Sequence, residues 1–98
     1  MLAPRDHFHS SASVEISLGL HARPATEISQ YVLGQKGVTV TLRYGGAEAA
    51  GDSPLQILLL CAQFGAVVEI AVEGANARVV GELIKEILAS KDLWHIGR

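Results

Sequence analysis

Apolar and polar residues alternate from Ser13 to Leu18: Val14, Ile16 and Leu18 are apolar, and Ser13, Glu15 and Ser17 are polar. A period of two marks a half-buried strand. The same period returns in Val38–Tyr44, where Val38, Val40, Leu42 and Tyr44 share one face, and in Val68–Val72, where Val68, Ile70 and Val72 do. Clean alternation predicts an antiparallel sheet with one wet face. Gly45-Gly46 fits a two-residue hairpin turn, because glycine accepts the positive φ that a type I′ turn demands. A short edge strand over Ala47–Ala50 then follows. Between strands the period lengthens. Ala22, Ala25, Ile28 and Val32 form one helical stripe ended at Gly34, and Ala77, Val80, Ile84 and Ile87 form another, widened by Leu83 and Leu88. Ser53-Pro54-Leu55-Gln56 reads as a capping box opening a short helix that ends before Gly65.

The predicted order is β-α-β-β-α-β-α. Single apolar stripes on the helices and one apolar sheet face call for two layers. The expected fold is α+β: an open-faced β-sandwich, a four-stranded antiparallel sheet with three helices on one face, of the split βαβ kind. Residues 1–10 read as a flexible leader, 11–89 as the domain and 90–98, with Trp94 and His95, as a C-terminal tail. At 98 residues the chain is one domain, and 49% hydrophobic residues argue against disorder. A net charge of −2 excludes a generally basic, nucleic-acid-coating protein. The longest unbroken apolar run, Ile57–Ala62, is too short to span a membrane. One cysteine, Cys61, permits no intrachain disulfide and no cysteine-cage zinc site. It reads as a small buried hydrophobe in a reducing, cytoplasmic protein.

The chemistry-bearing stretch is Gly19-Leu20-His21-Ala22-Arg23-Pro24-Ala25, at a strand-to-helix junction. Pro24 fits the first helical turn, whose amides lack intrahelical partners. The Ala22 and Arg23 N–H groups point out along the axis, the helix dipole adds partial positive charge, and Arg23 adds a full one. That combination is an anion site. An imidazole at its lip lets the anion become covalent, as a phosphoryl group on a ring nitrogen. With an ordinary pKa near ~6.5, much of an imidazole is the neutral nucleophile at pH 7. Taken alone, a histidine in the place of His21 is usually a solvated cap residue, and Arg23 reads as a surface partner of a carboxylate. The fixed order of Gly, His, Arg and Pro is what favours chemistry.

At these residues the chain resembles the phosphocarrier HPr family of the phosphoenolpyruvate-dependent sugar phosphotransferase system, and the likeness extends from about Val14 to Leu88. The resemblance implies that His21 is the phosphoacceptor, on Nδ1 (a pros-phosphohistidine), with Arg23 stabilising the phosphoryl group. It implies enzyme I as donor, IIA-type proteins as acceptors, sugar transport as the setting, and a stoichiometric carrier rather than an enzyme. No cofactor or metal is expected on this chain, and a monomer is. In some family members a serine opening the middle helix is phosphorylated by an HPr kinase. Ser53 aligns there, although Asp52 and Pro54 flank it where the family has lysine and an apolar residue, and an N-cap explains it without regulation. The family's docking face combines apolar residues, here Leu55, Leu58 and Leu59, with lysines. Gln30, Leu33 and Gln56 stand in the lysine places, so charge steering is expected to be weak.

The competing reading is an HPr-like regulatory docking module of a nitrogen- or carbon-regulatory branch, without sugar transport. The presence of His21 separates the two. Other candidates carry less. His7, His9, His21 and His95 fall mostly in predicted tails, against a shared metal. Glu82 and Glu86 flank Lys85 on a solvated helix face.

Overall fold

A computed structural model describes residues 6–90. The elements in chain order are β1 (His7–Ser13), α1 (Ala22–Leu33), β2 (Val38–Tyr44), β3 (Ala47–Ala50), α2 (Pro54–Leu59), β4 (Val67–Gly74) and α3 (Ala77–Leu88). One four-stranded sheet runs β1-β4-β2-β3, every neighbouring pair antiparallel. This is the predicted open-faced α+β sandwich. Its core is built from the alternating residues of the strands (Val40, Leu42, Val68, Ile70, Val72) and the stripes of α1 (Ala25, Ile28, Val32) and α3 (Ala77, Val80, Ile84, Leu88). The fourth stripe position of α3 is Leu88 rather than Ile87, which is only half-buried. Ala22, predicted inward, is exposed at the first turn of α1.

The first strand corrects the sequence reading. The alternation at Val14–Leu18 lies beyond the sheet, and the paired strand is His7–Ser13, most of it inside the predicted leader. Val14 and Ile16 are fully buried, as their spacing requires, but in an extended segment past the strand's end. There Val14 bonds to Ala66 and Gly65, and the Glu15 N–H donates to the Leu88 carbonyl. β1 itself shows no apolar alternation because one large residue suffices for its inner face. Phe8 packs under α3 at Gly81, where a Cβ would collide with the ring. Ser10 and Ala12 occupy the remaining inward positions of this edge strand. Residues 1–5, and the predicted tail from Lys91 onward with Trp94 and His95, lie outside the described residues.

The Gly45-Gly46 turn has positive φ at both positions, 60° and 84°, as a type I′ hairpin needs. Gly34 ends α1, but in right-handed geometry, with its N–H donating to the Gln30 and Tyr31 carbonyls. The capping box of α2 is half realised. Ser53 Oγ accepts from the Gln56 N–H at 3.2 Å, but Gln56 Oε1 accepts from the Ala50 N–H at 2.8 Å and so ties the helix to β3. α2 stops at Leu59, well short of Gly65, and Cys61 follows in a left-handed conformation, φ 56°. That turn buries Leu60 and Ala62 and throws Cys61 outward. The thiol is exposed, contrary to its reading as a buried hydrophobe.

Candidate functional site

His21 is the N-cap of α1, with extended backbone angles (φ −92°, ψ −169°) and no side-chain capping bond. The ladder of α1 begins when the Ala25 N–H donates to the His21 carbonyl at 3.1 Å. Three residues precede that first donor inside the helix. Pro24 has no N–H, so the tip of α1 presents the amides of Ala22 and Arg23 ahead of the helix's own bonds. No acidic residue stands in the first turn, so the helix itself places no carboxylate at its positive end. Pro24 is buried and anchors the turn, whereas Arg23 is exposed. Arg23 and His21 are each engaged in an interaction with a neighbour.

The segment leading to His21 is held from one side. The Gly19 N–H donates to the Ile16 carbonyl at 2.8 Å, the His21 N–H to the Gly19 carbonyl at 2.9 Å, and the Leu20 N–H to the Ala62 carbonyl at 2.8 Å. Gly19 has φ +77°, and a Cβ there would sit 2.8 Å from the Ala62 carbonyl oxygen. Glycine is required on both counts. The chain that follows α2 thus fixes the approach to α1, and Leu20 is buried beneath it. His21 itself is half-buried. Its Nε2 atom is shielded from solvent and meets no hydrogen-bond partner.

Several large apolar residues of the flanking segments are exposed. Leu18 is 64% exposed, Leu55 65%, Leu59 68% and Phe64 62%. Of the apolar residues singled out in α2, Leu55 and Leu59 face solvent, while Leu58 is partly buried against the core. Leu18, read as an inward strand residue, is outside because the chain has left the sheet. Phe64 was missed, since its position became visible only once α2 was known to end at Leu59. From Ser53 to Val68 the sequence contains no charged residue. Gln30 and Gln56 are exposed, as is Leu33. Ser53 is half-buried, with its hydroxyl committed to the α2 cap. Among the described residues, no group of three or more His, Cys, Asp or Glu is placed to hold a metal ion. Nor is any described helix long and apolar enough to cross a membrane.

The chain and its fold are similar to known proteins. The sequence model described as "PTS HPr component phosphorylation site" matches residues 9–90. No curated protein matches by sequence. Among solved structures, the chain is similar to the phosphocarrier protein HPr of Bacillus anthracis str. Ames, with TM-score 0.78 and 22% identity over 84% of this chain and 96% of that one. It is similar to the histidine-containing phosphocarrier protein of Mycoplasma, with TM-score 0.75 and 21% identity over 82% and 90%. HPr-C-His from Thermoanaerobacter tengcongensis gives TM-score 0.76 and 20% identity over 83% and 90%. Those identities establish the shared fold, and the family match covers most of the chain: it belongs to the HPr family of phosphocarrier components of the phosphotransferase system.

Proposed function

We propose that the chain is a stoichiometric phosphoryl carrier in which His21 accepts phosphate on Nδ1 from phospho-enzyme I and passes it to IIA-type proteins in the cytoplasm. The observation that carries this reading is His21 at the N-cap of α1, before two amides that the ladder does not use and with no carboxylate in the first turn. The shielding of Nε2 supports Nδ1 as the ring nitrogen that takes the phosphoryl group. In the transfer, the Nδ1 lone pair attacks phosphorus in line while the P–N bond to the donor imidazole breaks. The neutral attacking tautomer carries its proton on Nε2, so no proton need leave this ring. The phosphoryl oxygens then meet the Ala22 and Arg23 amides, the helix dipole and the Arg23 guanidinium. Positioning and electrostatics supply the rate. The same geometry serves the reverse step, in which an acceptor nucleophile takes the group and His21 is restored.

The test mixes the protein with phosphoenolpyruvate, magnesium and a competent enzyme I. Acid-labile, alkali-stable phosphate on His21 supports the reading, and its absence overturns it. A second reading, a regulatory docking module without sugar transport, is favoured by the uncharged Ser53–Val68 stretch beside the site. It is distinguished by phosphotransfer to sugar-specific IIA proteins, which it does not predict. Modification of Ser53 by an HPr kinase has to contend with Asp52 beside it and with a hydroxyl already in use as a cap.

A further inference from the structure

We infer that the residues following α3 turn back along it and seat Trp94 in the groove between α3 and α1, against Leu83 and Tyr31, with Ile96 on Val79. The core stripe of α3, Ala77, Val80, Ile84 and Leu88, is fully buried. Beside it, at steps of four residues, runs a second apolar row: Val79, Leu83 and Ile87. Residues at that step lie one above the next on a single helix face. Ile87 is half-buried against the core, Leu83 is half-buried, and Val79 is 63% exposed. Val79 and Leu83 line a groove of about 490 Å³ with Tyr31 of α1 and the charged residues Arg78, Glu82 and Glu86. Contiguous apolar side chains left uncovered by the core mark a surface that something else covers.

The chain supplies the occupant. At the end of α3 the Ser90 hydroxyl donates to the Glu86 carbonyl at 2.9 Å, and the Leu88 carbonyl accepts from the Glu15 N–H at 2.9 Å. The chain therefore leaves the helix beside Glu86, at the end of this groove. Residues 91–98 lie outside the described residues, and their sequence is Lys91-Asp92-Leu93-Trp94-His95-Ile96-Gly97-Arg98. In an extended chain Trp94 and Ile96 share one face about 6.6 Å apart. Leu83 and Val79 are about 6 Å apart along α3, so the two pairs match in spacing. Leu83 lies about 10.5 Å back from Ser90 along the helix. Four extended residues carry the backbone of Trp94 about 13 Å from Ser90, and the indole adds to that reach.

Charge agrees with this direction. Arg78 and Glu82 pair along α3 at 3.8 Å, whereas Glu86 has no ion pair among the described residues. Lys91 follows the residue that is bonded to Glu86, and it brings the missing positive charge to that end of the groove. The trough on the other flank of α3 suits the segment less. Its only apolar lining is Ala12 and Ala89, which gives an indole little to pack on. A tethered segment also holds an advantage over a separate partner, because its effective concentration is on the order of millimolar. Tyr31 lies about 14 Å along α1 from Ala22, so the seated segment leaves the tip of α1 uncovered.

Trp94 is the chain's one tryptophan, so intrinsic fluorescence of the full chain reports on it alone. The expected emission is blue-shifted from that of the urea-unfolded chain, with reduced acrylamide quenching, and both are unchanged across the micromolar range. Nuclear Overhauser contacts should join the Trp94 indole to the Leu83 methyls and the Tyr31 ring. Leu83→Asp should return emission and quenching to the unfolded values. Val79→Asp should move both the same way by a smaller amount. Val79 is exposed in the first turn of α3, where a carboxylate suits the helix, so the far-ultraviolet circular dichroism should not change. Emission equal to that of the unfolded chain overturns the proposal. So does a blue shift that appears only as concentration rises, since a second copy would then be the occupant. Contacts to Leu83 from residues 1–5 in place of Trp94, or a blue shift that neither variant alters, also overturn it. None of these outcomes touches the role of His21.

Discussion

The Leu20 amide donates to the Ala62 carbonyl at 2.8 Å, which fastens the approach to His21 onto the segment leaving α2. Two parts of the chain far apart in sequence are thereby joined. His21 directly follows this contact, and Leu55, Leu59 and Phe64, in α2 and the segment after it, are exposed.

Gly19→Ala tests the fastening. The substitution forces a Cβ to 2.8 Å from the Ala62 oxygen at a φ of +77°. A loss of about 1–3 kcal/mol in urea unfolding is expected. Phosphorylation at His21 should slow even at temperatures where the variant is folded, because the junction itself must shift.

Arg23→Ala separates binding charge from backbone. The side chain is exposed, so stability should change by less than about 0.5 kcal/mol. Phosphoryl uptake should nevertheless fall by at least roughly tenfold, the scale of one charge-assisted contact to a developing phosphate. Arg23→Lys should recover only part of the rate, since the planar fork is lost. Stopped-flow or quench-flow transfer from phospho-enzyme I reads both.

Docking should depend on apolar area and little on salt. Leu18, Leu55, Leu59 and Phe64 are exposed, and the chain from Ser53 to Val68 is uncharged. Raising ionic strength from low to high should change kcat/KM for uptake by less than about threefold, whereas steered pairs lose far more. Leu59→Asp should raise KM strongly with little effect on folding, because Leu59 is 68% exposed.

Ser53→Ala should cost about 0.5–2 kcal/mol, the ordinary value of an N-cap, because Ser53 Oγ accepts from the Gln56 N–H. Gln56→Ala should add to that loss, since Gln56 Oε1 also holds the Ala50 N–H. If Ser53 is instead a regulatory residue, exposure to ATP and an HPr kinase should leave an acid-stable phosphoserine there, read by mass spectrometry.

The architecture was legible wherever the pattern reported burial on a regular element. β2, β4, α1 and α3 each carry one apolar face that packs, and the hairpin glycines have the predicted positive φ. β1 was misplaced because alternation records which side chains are inside, and Val14 and Ile16 are inside without pairing in the sheet. The strand that does pair, His7–Ser13, needs only Phe8 to fill its share of the core. Cys61 was misread because a run of apolar residues carries no mark of where the chain turns left-handed. The position of His21 before α1 followed from Gly19, Pro24 and the stripe behind them. The part played by Ala62 in holding it did not, since a main-chain contact across the fold leaves no side-chain signature.

The central claim is that the tip of α1 holds a phosphoryl group on Nδ1 of His21. The most direct measurement is phosphorus and nitrogen NMR of the protein after incubation with phosphoenolpyruvate, magnesium and enzyme I. The account predicts a single phosphohistidine, with the P–N coupling at Nδ1 of His21 and perturbed amide shifts at Ala22 and Arg23, and none of these in His21→Ala. Phosphate on Nε2 or on another residue, or no uptake from an enzyme I that phosphorylates a control carrier, would contradict it.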